Sequence, residues 1–173
     1  RNDFFMAQEL NLNVQHITCW SSSLNAAHFG NHIYSIEITE DMDNGLLVSR
    51  DTYVGDQIWK MKKYAAGQEP LLLLNPPVVP FTAVSGYATE DKFYNAKGDG
   101  AVRAYTLDMG DRFALTVNAF DKEPTVGKFV TFDAADKLYK VVDQADNTQF
   151  CAQVLSKIVR SNMVMYKIQV VHL

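Results

Sequence analysis

Apolar and polar residues alternate with a period of two along much of this 173-residue chain. In the stretch AVRAYTLDMGDRFALTVNAF, residues 101–120, two alternating runs flank a Met-Gly-Asp turn. Alternation of this kind is typical of β-strands, in which successive side chains point to opposite faces. The pattern therefore predicts two short strands that are joined tightly as a hairpin.

The same signal recurs from residue 30 onward. HIYSIEITE places Tyr34, Ile36 and Ile38 on one strand face, and the Asp-Asn-Gly sequence that follows is a turn and hairpin signal. Further strands are predicted on both sides of turns at residues 54–56, 134–136 and 160–162, and in the short apolar run at residues 71–74. About eight to eleven short strands at this spacing indicate a mainly β fold, either an antiparallel sandwich or a barrel.

Residues 1–29 differ from the rest because neither period persists in them. They mix Asn, Gln and Ser with scattered large apolar residues, so they cannot bury much apolar surface among themselves. Two interpretations stay open: a loosely packed start to the domain, or an arm that gains order against another subunit. We accordingly divide the chain into an extended N-terminal arm, residues 1–29, and a β domain, residues 30–173.

The amino-acid composition disfavours several classes of binding partner and location. The net charge of −4 argues against nucleic-acid binding, which relies on clustered basic residues. The best basic candidate, Lys60 with Lys62 and Lys63, is expected to be a solvated strand face. No apolar run approaches the ~20 residues of a membrane helix, and the first residues lack the apolar core of a signal peptide. With Cys19 and Cys151 alone, we expect reduced thiols, and Cys151 to be a buried apolar residue.

A search for reactive motifs favours a protein that is not an enzyme. Residues 41–45 carry their glycine at the wrong position for a calcium loop. His28 and His32 have the spacing of a helical zinc pair, but a glycine lies between them at an expected strand boundary. Neither a serine nucleophile elbow nor a nucleotide-binding loop occurs in the sequence. We expect no catalytic residues, no metal and no cofactor.

Aromatic residues are a further lead. Strand-like segments carry several rings that could form a stacking platform for sugars or bases, although such residues more often lie in a core or an interface. These residues are Trp59, Tyr64, Phe93, Tyr94, Tyr105 and Phe113.

Three segments together resemble a known group of proteins. They are DKFYNAKGDGAVRAYTLDMGDRFALTVNAF at 91–120, TVGKFVTFDAADKLYKV at 125–141 and FCAQVLSKIV at 150–159. Their order of turns and strands resembles the head decoration, or cement, proteins of tailed bacteriophages, over roughly residues 33–160. The resemblance implies a virion structural protein, made in the host cytoplasm, that binds the assembled major capsid protein on the outer capsid surface and stabilises the head.

On this interpretation residues 1–29 are the segment that binds the capsid, and a second copy of the chain on the lattice is a further expected partner. The large apolar residues of the arm are then the expected anchors: Phe4, Phe5, Leu10, Leu12 and Trp20. Three alternatives remain: a carbohydrate-binding β module on a virion or cell surface, a tail or neck component, and an enzyme of unknown type.

Overall fold

The computed structural model describes residues 15–76, 93–98, 100–160 and 163–173. These residues form a mainly β structure, as the alternation predicts, with short 3-10 helices between some strands. Its strands are β1 (Cys19–Ser23), β2 (Ile33–Glu37), β3 (Leu47–Gly55), β4 (Ile58–Lys63), β5 (Leu71–Leu73), β6 (Ala101–Thr106), β7 (Arg112–Thr116), β8 (Phe129–Asp133), β9 (Leu138–Val142), β10 (Cys151–Arg160) and β11 (Met163–His172).

The strands assemble into a closed barrel and an open sheet. The barrel has the order β2-β4-β3-β5-β6, and β6 closes it by pairing with β2. Its ladders are antiparallel except the one between β2 and β4, which is parallel. The six-stranded sheet has the order β1-β7-β11-β10-β8-β9 and is antiparallel throughout. The prediction of a mainly β sandwich or barrel is confirmed.

One apolar core joins the barrel to the sheet. Ile36 and Leu72 of the barrel belong to the same buried cluster as Phe113 and Ile168 of the sheet. A buried hydrogen bond also links the two units, because the Tyr139 hydroxyl donates to the carbonyl of residue 45 at 2.6 Å. The barrel and the sheet therefore share one apolar core.

The alternating stretch at residues 101–120 gives two strands but not a hairpin. Strand β6 pairs with β2 and β5 in the barrel, whereas β7 pairs with β1 and β11 in the sheet. The turn between them is closed by the Asp111 N–H, which donates to the Asp108 carbonyl at 3.1 Å, and Gly110 donates to Val170 at 2.9 Å. The turn thus carries the chain from one unit to the other, and the predicted tight pairing is wrong.

The predictions for the other turns agree more closely with the structure. The turns at 54–56 and 134–136 join paired strands, β3 with β4 and β8 with β9. Strands β10 and β11 pair as predicted, although residues 161 and 162 at their turn lie outside the described residues. The Asn-Gly turn is confirmed by a φ of +88° at Gly45, but it leads from β2 to β3, which are not neighbours in the barrel.

The described part of the predicted arm, residues 15–29, packs as part of the β domain. Strand β1 pairs with β7, and Ile17 and Leu24 are buried. The boundary at residue 29 therefore needs correction, since β-pairing supplies the order that the irregular sequence pattern does not reveal. Residues 1–14 lie outside the described residues, and an arm over them stays a prediction. Within the described residues, we find no helix with the length and apolar character needed to cross a bilayer.

Candidate functional site

Trp20 is the one predicted anchor that falls within the described residues, since Phe4, Phe5, Leu10 and Leu12 all precede residue 15. It lies on β1, the last strand at one side of the open sheet, opposite Ala114 of β7. The indole is half-buried rather than part of the main core. An aromatic residue at the sheet edge is thus partly available to a partner.

Trp20 packs on a small apolar cluster that is separate from the main core. The cluster consists of Ala114, Met163 and Met165, with Ile158 packed against it. The neighbours of Ala114 on β7 face the main core, so period-two alternation places this cluster on the opposite face of the sheet. We call Trp20 and this cluster the Trp20 face.

Two cationic side chains flank the indole of the Trp20 face. The guanidinium carbon of Arg160 lies 4.9 Å from the centroid of the Trp20 ring, and the Lys167 Nζ lies 5.6 Å from it. Both distances fall within the range of cation–π attraction, which holds the cations against the ring. The Trp20 face therefore combines apolar surface with positive charge on a chain whose net charge is −4.

A cavity of about 260 Å³ opens beside Trp20, between the sheet edge and the barrel. Arg160 and Tyr105 contribute to its walls, and Asn44 and Asn75 supply polar groups. The Asn44 amide donates to the Asn75 carbonyl at 2.8 Å, and the Asn75 N–H donates back to Asn44 Oδ1 at 2.9 Å. These two bonds fix the side-chain amide of Asn44 against the backbone of Asn75 at the cavity wall.

The start of the described chain is fastened to the domain close by. His16 Nδ1 lies 2.8 Å from Asp43 Oδ1, and Asp43 Oδ2 accepts the Ile17 N–H at 3.0 Å. The imidazole also stacks on Tyr94, with ring centroids 4.7 Å apart. These contacts fix the point from which residues 1–14 continue, four residues before Trp20 in the sequence.

The six aromatic residues singled out in the sequence do not form one platform. Tyr64 and Phe113 are buried in the core, as the alternative interpretation expects. Tyr94 stacks on His16, and Tyr105 is partly buried against the core. Trp59 alone among them has an exposed aromatic neighbour: Tyr53, at a centroid distance of 5.2 Å.

Sequence reasoning missed Tyr53, together with Tyr34 and Arg50, which surround Trp59. The Arg50 guanidinium lies 4.2 Å from the Tyr34 centroid and 5.1 Å from that of Trp59. A grouping by strand face does not reveal this set, because its members come from three strands. The sequence signal available was the pair of large residues at 53 and 54, placed just before a turn where exposure is expected.

Neither cysteine has the environment of a nucleophile. Both thiols are free, and Cys151 is buried as predicted. Burial raises the pKa of the Cys19 thiol and the pKa of the Cys151 thiol, whereas reactive thiols have a lowered pKa. Among the described residues, no three His, Cys, Asp or Glu side chains are grouped so that they could hold a metal ion. The solvated face is confirmed, since Lys60, Lys62 and Lys63 are exposed on β4.

Comparison with known proteins identifies no relative of this chain. No protein-family model matches this chain, and neither a curated protein nor a solved structure matches it.

Proposed function

We propose that this chain is a structural protein of a tailed bacteriophage virion, bound to the outer surface of the head, where it stabilises the major capsid lattice. The observation that supports this proposal is the Trp20 face, where an aromatic ring on an edge strand lies within cation–π distance of two cations. Trp20 follows residues 1–14 closely in the sequence, and those residues include four of the five predicted anchors. The resemblance over residues 33–160 supports the family.

The proposed mechanism is thermodynamic linkage. A protein that binds the assembled shell, but not its dissociated subunits, stabilises the shell by mass action. Repeated sites on a symmetric lattice add avidity when copies also contact each other. Such a protein needs a rigid scaffold and a binding surface and no reactive group, so the proposal includes no enzymatic activity, metal or cofactor.

Trp20 and Arg160 belong to residue types that often contribute most of the binding energy at protein interfaces. Trp, Tyr and Arg are enriched among the few residues that carry most of the binding energy, and these lie in desolvated pockets. The indole already covers part of the cavity wall, and Arg160 lines the same cavity. A capsid segment with an apolar side chain and a carboxylate would complement both.

Co-sedimentation with empty heads tests the proposal. Heads assembled from the major capsid protein of the encoding phage are mixed with the full chain, a variant lacking residues 1–14, or Trp20→Ala. We expect saturable binding at a lattice-matched stoichiometry, with roughly thirtyfold weaker binding for Trp20→Ala if the ring is worth about 2 kcal/mol. Val54→Ala is the matched control, because Val54 is exposed on the barrel.

The outcomes separate the possible contacts. Loss of binding on removal of residues 1–14 alone assigns the contact to the arm, and loss with Trp20→Ala alone assigns it to the Trp20 face. If the full chain does not bind heads, the capsid proposal is wrong. Binding to purified tails instead of heads would identify a tail or neck component.

A carbohydrate-binding β module is the second candidate, and one observation favours it. Tyr53 exposes 56% of its surface beside Trp59. These residues belong to the barrel, whereas Trp20 belongs to the sheet, so the two functions do not compete for the same side chains.

A further inference from the structure

Four side chains meet at one end of the barrel: Tyr34, Arg50, Tyr53 and Trp59. Tyr34 lies two residues before buried Ile36 on β2, so the strand period turns its ring toward the barrel interior. Yet Tyr34 and Trp59 are only half-buried, because each lies near the start of its strand. Strands β2 and β4 are parallel, so both starts are at the same end of the barrel. We call these four residues the mouth cluster.

A bulge in the β3–β4 ladder brings Tyr53 to this mouth. Arg50 pairs with Met61, but Tyr53 rather than residue 52 pairs with Trp59, so β3 has one extra residue there. A bulge of this kind redirects side chains and is common near binding sites. As a result the Tyr53 and Trp59 rings pack edge to face, with centroids 5.2 Å apart and planes at 63°.

The turn that follows holds the exposed Tyr53 ring. Asp56 and Gln57 both have positive φ, 49° and 64°, as a two-residue hairpin turn requires. The Gln57 N–H donates to the Tyr53 hydroxyl at 3.2 Å. The ring is therefore ordered before any ligand arrives, which lowers the entropic cost of binding.

Hydrogen-bond acceptors without partners border the mouth cluster. A cavity of about 350 Å³ beside Trp59 is lined by Asp51, Gln68 and Glu69. Arg50 donates from Nε and Nη2 to the same oxygen, Glu69 Oε2, at 3.1 and 2.6 Å. Within the described residues, Glu69 Oε1 and the Asp51 carboxylate have no hydrogen-bond partner, and Gln68 Oε1 is buried without one.

We propose that the mouth cluster and this cavity form a saccharide-binding site. The C–H face of a pyranose is weakly positive and packs on the negative face of an aromatic ring such as Tyr53. Its hydroxyls donate to carboxylate and amide oxygens such as those of Asp51, Glu69 Oε1 and Gln68 Oε1, which have no partner among the described residues to displace. Barrel mouths are also a preferred location for small-molecule sites. The proposal assigns the barrel a recognition role beyond the head contact.

The same features disfavour the other ligands that aromatic clusters bind. Arg50 compensates the charge of Glu69, and Asp51 leaves one further negative charge among these residues, which disfavours the phosphates of a nucleic acid. A protein partner is less well matched, because Asp and Glu are depleted in interface cores. A neutral, hydroxyl-rich ligand makes use of both the ring and the carboxylates.

A glycan microarray of bacterial surface polysaccharides and their oligosaccharides tests the site with the full chain. Trp20→Phe leaves Trp59 as the remaining tryptophan of the two in the sequence, so titration with a bound glycan should change its fluorescence. In that background Tyr53→Ala and Asp51→Asn should each weaken binding roughly tenfold, the loss expected for one stacking or charged hydrogen-bond contact. Val54→Ala, on the same hairpin and 52% exposed, should bind normally.

Three results would overturn the proposal. One is a folded chain that binds no glycan on the array. Another is glycan binding that is undiminished in both Tyr53→Ala and Asp51→Asn, or equally diminished in Val54→Ala. The third is a mouth cluster that binds a protein rather than a glycan. Head co-sedimentation should be unchanged by Tyr53→Ala, so this test and that of the capsid contact fail independently.

Discussion

Gly45 lies at the junction between the barrel and the sheet. Its replacement by alanine should destabilise the protein by more than the cost of the left-handed backbone conformation alone. Its φ is +88°, in the left-handed region. A Cβ there would overlap Leu115 Cδ2 and lie 3.0 Å from Cys19 Cβ. Leu115 is fully buried, so its methyl has little room to move away.

A matched substitution at Gly127 measures the cost of the backbone conformation without the steric cost. Gly127 has the same φ of +88°, and its N–H, like that of Gly45, donates to a strand carbonyl. A Cβ on Gly127 meets no atom within 4 Å. The left-handed conformation costs an alanine about 1–2 kcal/mol, and the smaller entropy of the unfolded chain returns about 0.4–1 kcal/mol. We therefore expect Gly127→Ala to lower the free energy of unfolding by about 1 kcal/mol.

Gly45→Ala adds the steric term. Overpacking a filled core typically costs about 1–3 kcal/mol, so the expected loss is about 2–4 kcal/mol. Urea unfolding followed by far-UV circular dichroism gives the free energies by linear extrapolation, and an unchanged slope shows that stability alone has changed. If the two variants lose the same free energy within about 0.5 kcal/mol, the contact with Leu115 does not limit this position and the argument is wrong.

Two further predictions concern Tyr139, at the same junction, and Cys151, at the start of β10. Tyr139→Phe should lower the free energy of unfolding by about 1–3 kcal/mol, because it leaves the buried Gly45 carbonyl without the hydroxyl that donates to it; Tyr166→Phe, which removes a bond to an exposed carboxylate, should cost less in the same urea assay. Cys151 should react with a thiol reagent at pH 8 only after unfolding, because its side chain is buried and burial raises its pKa, which keeps the reactive thiolate scarce. Rapid labelling of Cys151 in the folded chain would contradict that account.

The period-two pattern was sufficient for individual strands but not for their partners. Residues 101–106 and 112–116 alternate as the strands require, yet the alternation is identical for a hairpin and for two strands in different sheets. The bond from Gly110 to Val170 that fixes the crossing joins residues far apart in sequence. Local sequence therefore predicts strand existence, whereas long-range packing decides the topology.

In the candidate sites, too, single residues could be predicted from the sequence but their neighbours in space could not. Trp20 was identified from composition, but its neighbours Arg160 and Lys167 come from strands near the other end of the chain. Tyr53 was missed because a strict period of two does not anticipate the extra residue of the bulge.

The pairing of β1 with β7 makes the barrel an insertion within the sheet. Cys19 pairs with Leu115, and every barrel strand lies between these residues in the sequence. Closing so long a loop is entropically costly unless the intervening chain is already compact. The barrel should therefore fold before β1 docks, which leaves the edge of β7 open during that interval. Until β1 docks, the β1 of a second copy could pair with that open edge instead. The risk of strand swapping therefore ends only when the chain's own β1 has paired with β7.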